Sequence, residues 1–196
     1  MTGVTHLPPP VAPRRPHTRS LHGEGVHDDY AWMRQVDDPE LLAYLEAENA
    51  YTGDQTRGLR DLQQQIFDEL RSVLPEDDVM APWREGEWIY YARRRAGQQY
   101  LIHCRRPATG GDEQVVLDEN ALAKGHAFLS MGNVAVSPDG RLVAYSVDLE
   151  GNEVFTLHVR DLTTGETLPD RLEGTYYTLA WAADSSGFLY PTLDPA

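Results

Sequence analysis

Residues 137–165 read SPDGRLVAYSVDLEGNEVFTLHVRDLTTG, and this stretch decides the fold. Two apolar runs, 142–145 and 155–158, flank Gly151, which is the pattern of two antiparallel strands joined by a turn. The opening Ser-Pro-Asp-Gly favours a type I turn, because proline stands at its second position and glycine at its fourth. A Thr-Gly pair at 164–165 closes the unit.

The same order of strand, glycine, strand and Thr-Gly turn occurs earlier in the chain. Gly97 precedes Gly151 by 54 residues, and Gly110 precedes Gly165 by 55. A third unit opens at 176–181, and its Asp-Ser-Ser-Gly turn follows the Ser-Pro-Asp-Gly turn at an offset of 47. Repeats of about 40–55 residues that hold several short antiparallel strands indicate propeller blades rather than an irregular β-sandwich.

The repeat predicts blades at about 81–125, 126–172 and 173–196, the last of them incomplete. Propeller blades bury their faces against neighbouring blades, and the ring has to close or be capped. Two blades and the start of a third cannot close a ring. We therefore expect the chain to end inside its third blade, with strand edges left unpaired there.

The residues before the blades form a second region. We divide the chain into an extended and helical segment, 1–75, and a partial propeller, 76–196. Helix is predicted from 38 to about 74, because Asp38 is a good N-cap and Pro39 suits the first helical position.

Two apolar stripes run along this helical region. Leucines at 41, 42 and 45 make the first, and apolar residues three or four apart between Leu59 and Val73 make the second. Gly53 and Gly58 leave open whether the region is two helices or one kinked helix, and Pro75 ends it. Each stripe predicts packing against some other surface.

Composition excludes some classes of function. The formal net charge of −14 disfavours nucleic-acid binding, because phosphate backbones would be repelled. Cys104 is the single cysteine, which favours a reducing compartment. It alternates with Ile102 and Tyr100, which predicts a buried strand position. The first residues contain no apolar stretch that reads as a signal peptide or a membrane span. We expect a cytoplasmic protein that binds neither nucleic acid nor membrane.

Several segments together resemble one known family. Residues 28–34 (DDYAWMR) are similar to its D-x-Y-x-W-L-R signature, and residues 44–52 (YLEAENAYT) to its Y-L-x-A-E-N-x-Y-T. The strand segments 87–93, 100–106, 136–148 and 180–190 resemble, in order, its first three blades. The chain thus resembles the N-terminal portion of the oligopeptidase B (protease II) branch of the prolyl oligopeptidase family of serine peptidases.

The resemblance implies a specific architecture and activity. The fold would be mainly β, with the first two blades and the start of a third from a seven-bladed propeller. The preceding helices would pack on an α/β-hydrolase domain that is absent from this chain. The complete enzyme would cleave short peptides after Arg or Lys, with the propeller limiting access and with no metal or organic cofactor. The family's Ser, Asp and His triad lies in that C-terminal domain, so no catalytic residue is assigned here and this chain alone is expected to be inactive.

Candidate site residues are few. Residues 183–187 fit a loose A-x-S-x-G, but a nucleophile elbow needs a helix after its serine and a strand follows here, so Ser185 is predicted to sit in a hairpin turn. In prolyl oligopeptidase a propeller aromatic shortly before the third blade's Trp borders the substrate pocket, which implies that Tyr176 or Tyr177 lines the substrate path. Blade packing is the alternative role for both tyrosines.

The other candidates are charged. His22, His27, Asp28 and Asp29 fit no tight metal-binding spacing, and a structural or solvated role is expected. The arginines at 93–95 lie in a hairpin arm and are expected to make ion pairs. Two alternatives to a peptidase portion stay open: a non-enzymatic propeller-like binding module, and the unstable product of a truncated reading frame.

Overall fold

The computed structural model describes residues 6–194. The chain divides into two compact units, Met1–Leu74 and Pro75–Ala196. The first unit is helical with one β-hairpin, and the second is built from β-strands with one short helix.

The first unit opens with an extended, proline-rich lead-in and a hairpin. Strands β1 (Thr18–Leu21) and β2 (Glu24–His27) pair antiparallel across His22 and Gly23. Both turn residues have positive φ, +53° and +84°, as the tight two-residue hairpin turn requires. After the hairpin, Trp32 is buried in a 3-10 turn, and its indole Nε1 donates a hydrogen bond to the Pro13 carbonyl at 3.0 Å.

Two helices follow, as one of the two alternatives predicted. Helix α1 (Pro39–Thr56) begins where expected, and the Asp38 carboxylate accepts a hydrogen bond from the Glu40 amide at 2.8 Å. A single 3-10 turn, Arg57–Leu59, separates it from α2 (Arg60–Val73). Gly58 lies in this junction, whereas Gly53 lies inside α1.

The apolar stripes of the two helices are mostly exposed. Leu41 is the one buried residue of α1, and α2 has none. The four apolar side chains in the middle of α2 are between 47% and 60% exposed; they are Leu62, Ile66, Phe67 and Leu70. The amphipathic pattern of α2 is therefore present without a buried face.

The second unit begins with a sheet whose first position is shared by two short strands. Both pair with the same edge of β5, and the later strands add in chain order, all antiparallel. The strands of this first sheet are β3 (Asp78–Val79), β4 (Trp83–Glu85), β5 (Trp88–Arg94), β6 (Ile102–Pro107) and β7 (Gln114–Asp118). A short helix, α3 (Glu119–Leu122), connects it to the next sheet.

The second sheet is a four-stranded antiparallel meander. Its strands are β8 (Ser130–Val136), β9 (Leu142–Asp148), β10 (Phe155–Asp161) and β11 (Thr167–Thr175). The predicted Ser-Pro-Asp-Gly turn joins β8 to β9, with the Gly140 amide donating to the Ser137 carbonyl at 2.7 Å. A last pair, β12 (Ala180–Trp181) and β13 (Phe188–Leu189), starts a third sheet.

Strand limits differ from the predicted blades at two places. The first sheet begins at Asp78, before the expected 81, because β3 is a two-residue exposed strand without an apolar pattern. The second sheet continues to Thr175, beyond the expected 172. Strand β11 lies at the sheet edge, is largely exposed and contains Pro169, so apolar alternation could not reveal its length.

The core lies between the sheets of the second unit. One face of the second sheet packs on the first sheet in a cluster formed by Tyr90, Val116, Val143 and Leu162. Its other face packs toward the third strand pair in a cluster formed by Ala144, Leu157, Val159 and Leu179. Cys104 is 1% exposed, which confirms its predicted buried strand position. Among residues 6–194, no helix is both long enough and apolar enough to cross a bilayer.

Candidate functional site

Tyr176 and Tyr177 lie where β11 passes into the third strand pair. Just before them, the buried Thr175 donates its hydroxyl to the Phe155 carbonyl at 2.9 Å. The Ser146 hydroxyl donates to the Tyr177 carbonyl at 3.3 Å, so the backbone here is tied to both β9 and β10 of the second sheet.

A glycine in β8 makes this close approach possible. A Cβ at Gly132 would lie 2.8 Å from the Tyr177 Cβ and 2.5 Å from the Ser146 Oγ. Such distances are shorter than carbon atoms tolerate, so only glycine lets the chain at Tyr177 lie this close to the second sheet.

The two predicted tyrosine rings are side by side. Their centroids are 4.2 Å apart, and the Tyr177 and Phe155 rings are nearly perpendicular with centroids 6.3 Å apart. Tyr177 is 47% exposed. Two effects raise the pKa of the Tyr176 hydroxyl: the larger comes from the neighbouring Tyr177, and the smaller from partial burial. The hydroxyl therefore stays protonated at neutral pH and can donate a hydrogen bond. Tyr177 thus both packs against Phe155 and presents an accessible aromatic surface.

The loop between β9 and β10 lies at the same end of the second sheet. Asp148 is buried there and accepts hydrogen bonds from three loop amides, those of Glu150, Gly151 and Glu153. Burial raises the pKa of its carboxyl, but these hydrogen bonds outweigh burial and lower the pKa overall. Asp148 therefore shapes a loop rather than offering a free carboxylate.

A polar cavity of about 650 Å³ is lined by this loop and by residues of β9, β10 and β11. His158 stacks on Tyr145 in its wall, with centroids 5.4 Å apart, and Arg171 pairs with Glu173 at 3.1 Å. Burial, and then the charge of Arg171, lower the pKa of His158, which favours a neutral imidazole. Within residues 6–194, no three His, Cys, Asp or Glu side chains are placed to hold a metal ion.

Three of the four residues considered as metal ligands pair with neighbouring groups, and the fourth, His22, lies in the β1–β2 turn. His27 Nε2 lies 3.0 Å from an Asp29 carboxylate oxygen, at ion-pair distance but without hydrogen-bond alignment. Asp28 caps the Tyr30 amide at 2.9 Å and lies 3.9 Å from Arg34. These contacts fit the structural role expected for the signature stretch.

Ser185 lies in the hairpin turn predicted for it. The turn joins β12 to β13, and Ser185 itself has a φ of +61°. Its hydroxyl accepts a hydrogen bond from the Asp139 amide at 3.0 Å, which links the corresponding turns of consecutive repeats. The strand that follows excludes the strand–turn–helix geometry of a nucleophile elbow.

A charged cluster in the first sheet was only partly foreseen. Arg93 was expected to make an ion pair, and it binds both oxygens of Glu113, at 2.7 and 3.1 Å. The Tyr91 hydroxyl donates to Glu113 at 2.6 Å. The Arg93 guanidinium, and then the Tyr91 hydroxyl, hold the pKa of Glu113 at about 2. Glu113 stands before β7 in a polar loop, so no periodicity could show its partner.

The same cluster borders the single cysteine. Burial, and then the charge of Glu113, raise the pKa of the Cys104 thiol to about 11. The thiol therefore stays protonated at neutral pH and lacks the thiolate that a nucleophile needs. This agrees with the packing role expected for Cys104.

Comparison with known proteins covers nearly the whole chain. Residues 9–196 match the family described as prolyl oligopeptidase, N-terminal beta-propeller domain. Dipeptidyl aminopeptidase BI from Pseudoxanthomonas mexicana is 36% identical over 95% of this chain, and Protease 2 from Moraxella lacunata is 33% identical over 94%. The structure of oligopeptidase B from Leishmania major superposes with a TM-score of 0.85 at 30% identity over 95% of this chain.

The chain is much shorter than these relatives. It spans 28% of the length of each of the two peptidases and 29% of the oligopeptidase B chain. Its two antiparallel sheets, packed face to face and followed by the start of a third, are the repeating unit of a propeller. The chain belongs to the prolyl oligopeptidase family, and what it contains is part of that family's N-terminal β-propeller domain.

Proposed function

We propose that this chain is the N-terminal part of a serine oligopeptidase that cleaves short peptides after Arg or Lys. The superposition on oligopeptidase B carries the proposal, since it preserves the order of helices and sheets over 95% of this chain. In the complete protein a separate α/β-hydrolase domain supplies the Ser-His-Asp triad, and the propeller limits entry to small peptides. The single cysteine of the chain is consistent with the cytoplasmic location that we expect.

Two steps test this proposal. The DNA beyond codon 196 should encode further blades and a G-x-S-x-G segment. Protein from the extended gene should hydrolyse a chromogenic peptide ending in Arg or Lys, while the 196-residue chain should show no turnover. Hydrolysis by the 196-residue chain would contradict the placement of the triad. A gene that stops at codon 196, with a monomeric product that melts cooperatively, would instead support a propeller-like binding module.

The name of one relative favours a second candidate. Dipeptidyl aminopeptidase BI, at 36% identity, is named for release of dipeptides from an amino terminus. Mass spectrometry of the products separates the two activities. A peptidase that cleaves after basic residues accepts peptides with blocked amino termini, whereas a dipeptidyl aminopeptidase requires a free one.

Tyr176 and Tyr177 are proposed to line the substrate path of the complete enzyme. Their support is the accessible pair of rings at the β11–β12 connection. Tyr176→Ala and Tyr177→Ala in the extended protein should raise KM for peptides and leave kcat nearly unchanged. Tyr190→Ala, directly after β13, is the control. An unchanged KM together with reduced thermal stability would assign both tyrosines to packing alone.

The exposed stripe of α2 is proposed to pack on the hydrolase domain. Hydrogen exchange should show α2 amides that are protected in the extended protein and exchange freely in the 196-residue chain. Ile66→Asp should weaken the extended protein's resistance to urea, whereas Gln64→Asp on the polar side should not. Equal protection in both proteins would remove this role for the helix.

A further inference from the structure

A small cavity lies between the first sheet and the first strand of the second. Its volume is about 240 Å³, below the roughly 300–1,000 Å³ of pockets that hold whole small molecules, so its size suits a single side chain. The walls are aromatic and aliphatic, with one carboxylate; they include Trp83, Glu85, Tyr90, His103, Val134 and Val136.

Trp83 and Glu85 lie on the same side of β4, because alternate residues of a strand share a face. The Trp83 ring stacks on Tyr90, with centroids 5.7 Å apart and planes inclined by 23°. Tyr90 is buried, but Trp83 is 51% exposed. A large aromatic surface is therefore open beside a carboxylate.

Two of the other three tryptophans show what such a surface can bind in this protein. A guanidinium lies over two of them: Arg15 at 4.7 Å from the Trp32 ring and Arg105 at 3.9 Å from the Trp88 ring. Trp88 pairs in register with Glu85 across the β4–β5 ladder, so its stacked arginine lies next to the cavity. Within residues 6–194, Trp83 has no such cation over its ring.

Glu85 is likewise without a cationic partner. Among residues 6–194, no Arg, Lys or His nitrogen lies within 4.0 Å of its carboxylate. The neighbouring Arg84 points its Nε to the Gly86 carbonyl at 3.1 Å, and Arg105 is buried against Gly140 and Gln114. Within this part of the chain Glu85 therefore has no direct ion-pair partner at the cavity.

An adjoining cavity carries further acidic side chains, together with the Arg105 guanidinium over the Trp88 ring in its wall. It has a volume of about 190 Å³, shares Glu85 with the first, and adds Glu87 and Asp139 to the lining. The Ser137 hydroxyl, and then the Arg141 amide, lower the pKa of Asp139, which stays ionised at neutral pH. The whole chain carries a net charge of −14, which favours the approach of cations to the protein in general.

We propose that the 240 Å³ cavity between β4 and β8 binds the basic side chain of a peptide, with arginine preferred over lysine. The planar guanidinium stacks on Trp83 and donates hydrogen bonds to Glu85, while the aliphatic part lies against Val134 and Val136. This binding belongs to the β-sheet unit itself. It does not depend on the peptidase activity proposed above.

The test compares a charged probe with an uncharged one of the same shape. N-acetyl-arginine methylamide and N-acetyl-citrulline methylamide are titrated into the 15N-labelled protein while the tryptophan indole N–H signals are followed. The arginine probe should shift the Trp83 signal, which is assigned by its loss in Trp83→Phe, and the citrulline probe should not. The lysine analogue should bind more weakly than arginine.

Charge variants complete the test. Glu85→Gln should weaken arginine binding about tenfold, since it removes a charge-assisted interaction. Glu166→Gln changes the net charge equally at an exposed turn and should leave binding unchanged. The proposal is overturned if the Trp83 signal does not move, if citrulline moves it equally, or if both Gln variants weaken binding to the same extent.

Discussion

Strand β9 and helix α2 both carry regular apolar patterns, yet their surroundings are opposite. Every residue of β9 from Val143 to Asp148 is buried, because the first sheet covers one face and the third strand pair covers the other. No residue of α2 is buried. An apolar pattern therefore predicts that a segment has a packing partner, but it does not tell where that partner comes from.

The largest difference is expected on deleting a side chain from each region. Leu157 is 1% exposed and packs among Ala144, Val159 and Leu179, so Leu157→Ala should lower the free energy of unfolding by about 3–4 kcal/mol. Leu70→Ala on α2 should change it by less than about 0.5 kcal/mol. Urea unfolding followed by tryptophan fluorescence measures both. Equal losses would mean that α2 packs in solution as tightly as the second sheet.

The next largest loss of stability is expected at Gly132, where the backbone at Tyr177 approaches the second sheet closely. Gly132→Ala would place a Cβ 2.5 Å from Ser146 and 2.8 Å from Tyr177, so we expect a loss of about 1–3 kcal/mol. Gly187→Ala is the matched control, because no heavy atom lies within 4 Å of the added Cβ. If Gly132→Ala leaves the free energy of unfolding unchanged, the backbone at Tyr177 can move away from Gly132 without a cost in stability.

The half-buried cluster around Glu113 should contribute to the free energy of unfolding by an amount between those of β9 and α2. This contribution should depend on pH. The folded pKa of Glu113, about 2, lies below its ordinary 4.5, so its ionised form stabilises the fold above about pH 4.5, and this stabilisation is lost as pH falls toward 2. The difference in urea midpoint between the natural protein and Glu113→Gln should therefore shrink on going from pH 7 to pH 3. A pH-independent difference would assign the effect to hydrogen bonding without charge.

The smallest effect on stability is expected from polar changes along α2. Leu62→Gln with Ile66→Gln should leave the free energy of unfolding within about 0.5 kcal/mol, because both side chains are about half exposed. The same double variant should reduce binding of a hydrophobic dye and light scattering at high concentration. A clear loss of stability would show that the stripe is already covered in this chain.

The sequence predicted those elements whose local pattern carries a physical signal. The β9–β10 hairpin followed from apolar runs around Gly151, and the start of α1 followed from Asp38 and Pro39. Strands β3 and β11 lack such patterns because they lie at sheet edges and are exposed.

The candidate sites were less accessible to sequence reasoning. Tyr176 and Tyr177 were chosen by resemblance, and nothing in their local pattern indicates the approach to Gly132. The Arg93–Glu113 pair joins residues 20 positions apart in the sequence. The cavity at Trp83 depends on how the first two sheets pack together. Only three-dimensional packing brings those groups together.

The contact between Trp181 and Ala135 has a consequence during synthesis. The Trp181 indole donates to the Ala135 carbonyl at 2.9 Å, so one side of the second sheet is completed by residues made later. Before the residues around Trp181 have left the ribosome, Ala144, Leu157 and Val159 of the nascent chain face water. Each repeat thus emerges unfinished until the next one follows, which gives a chaperone a recurring interval in which to bind.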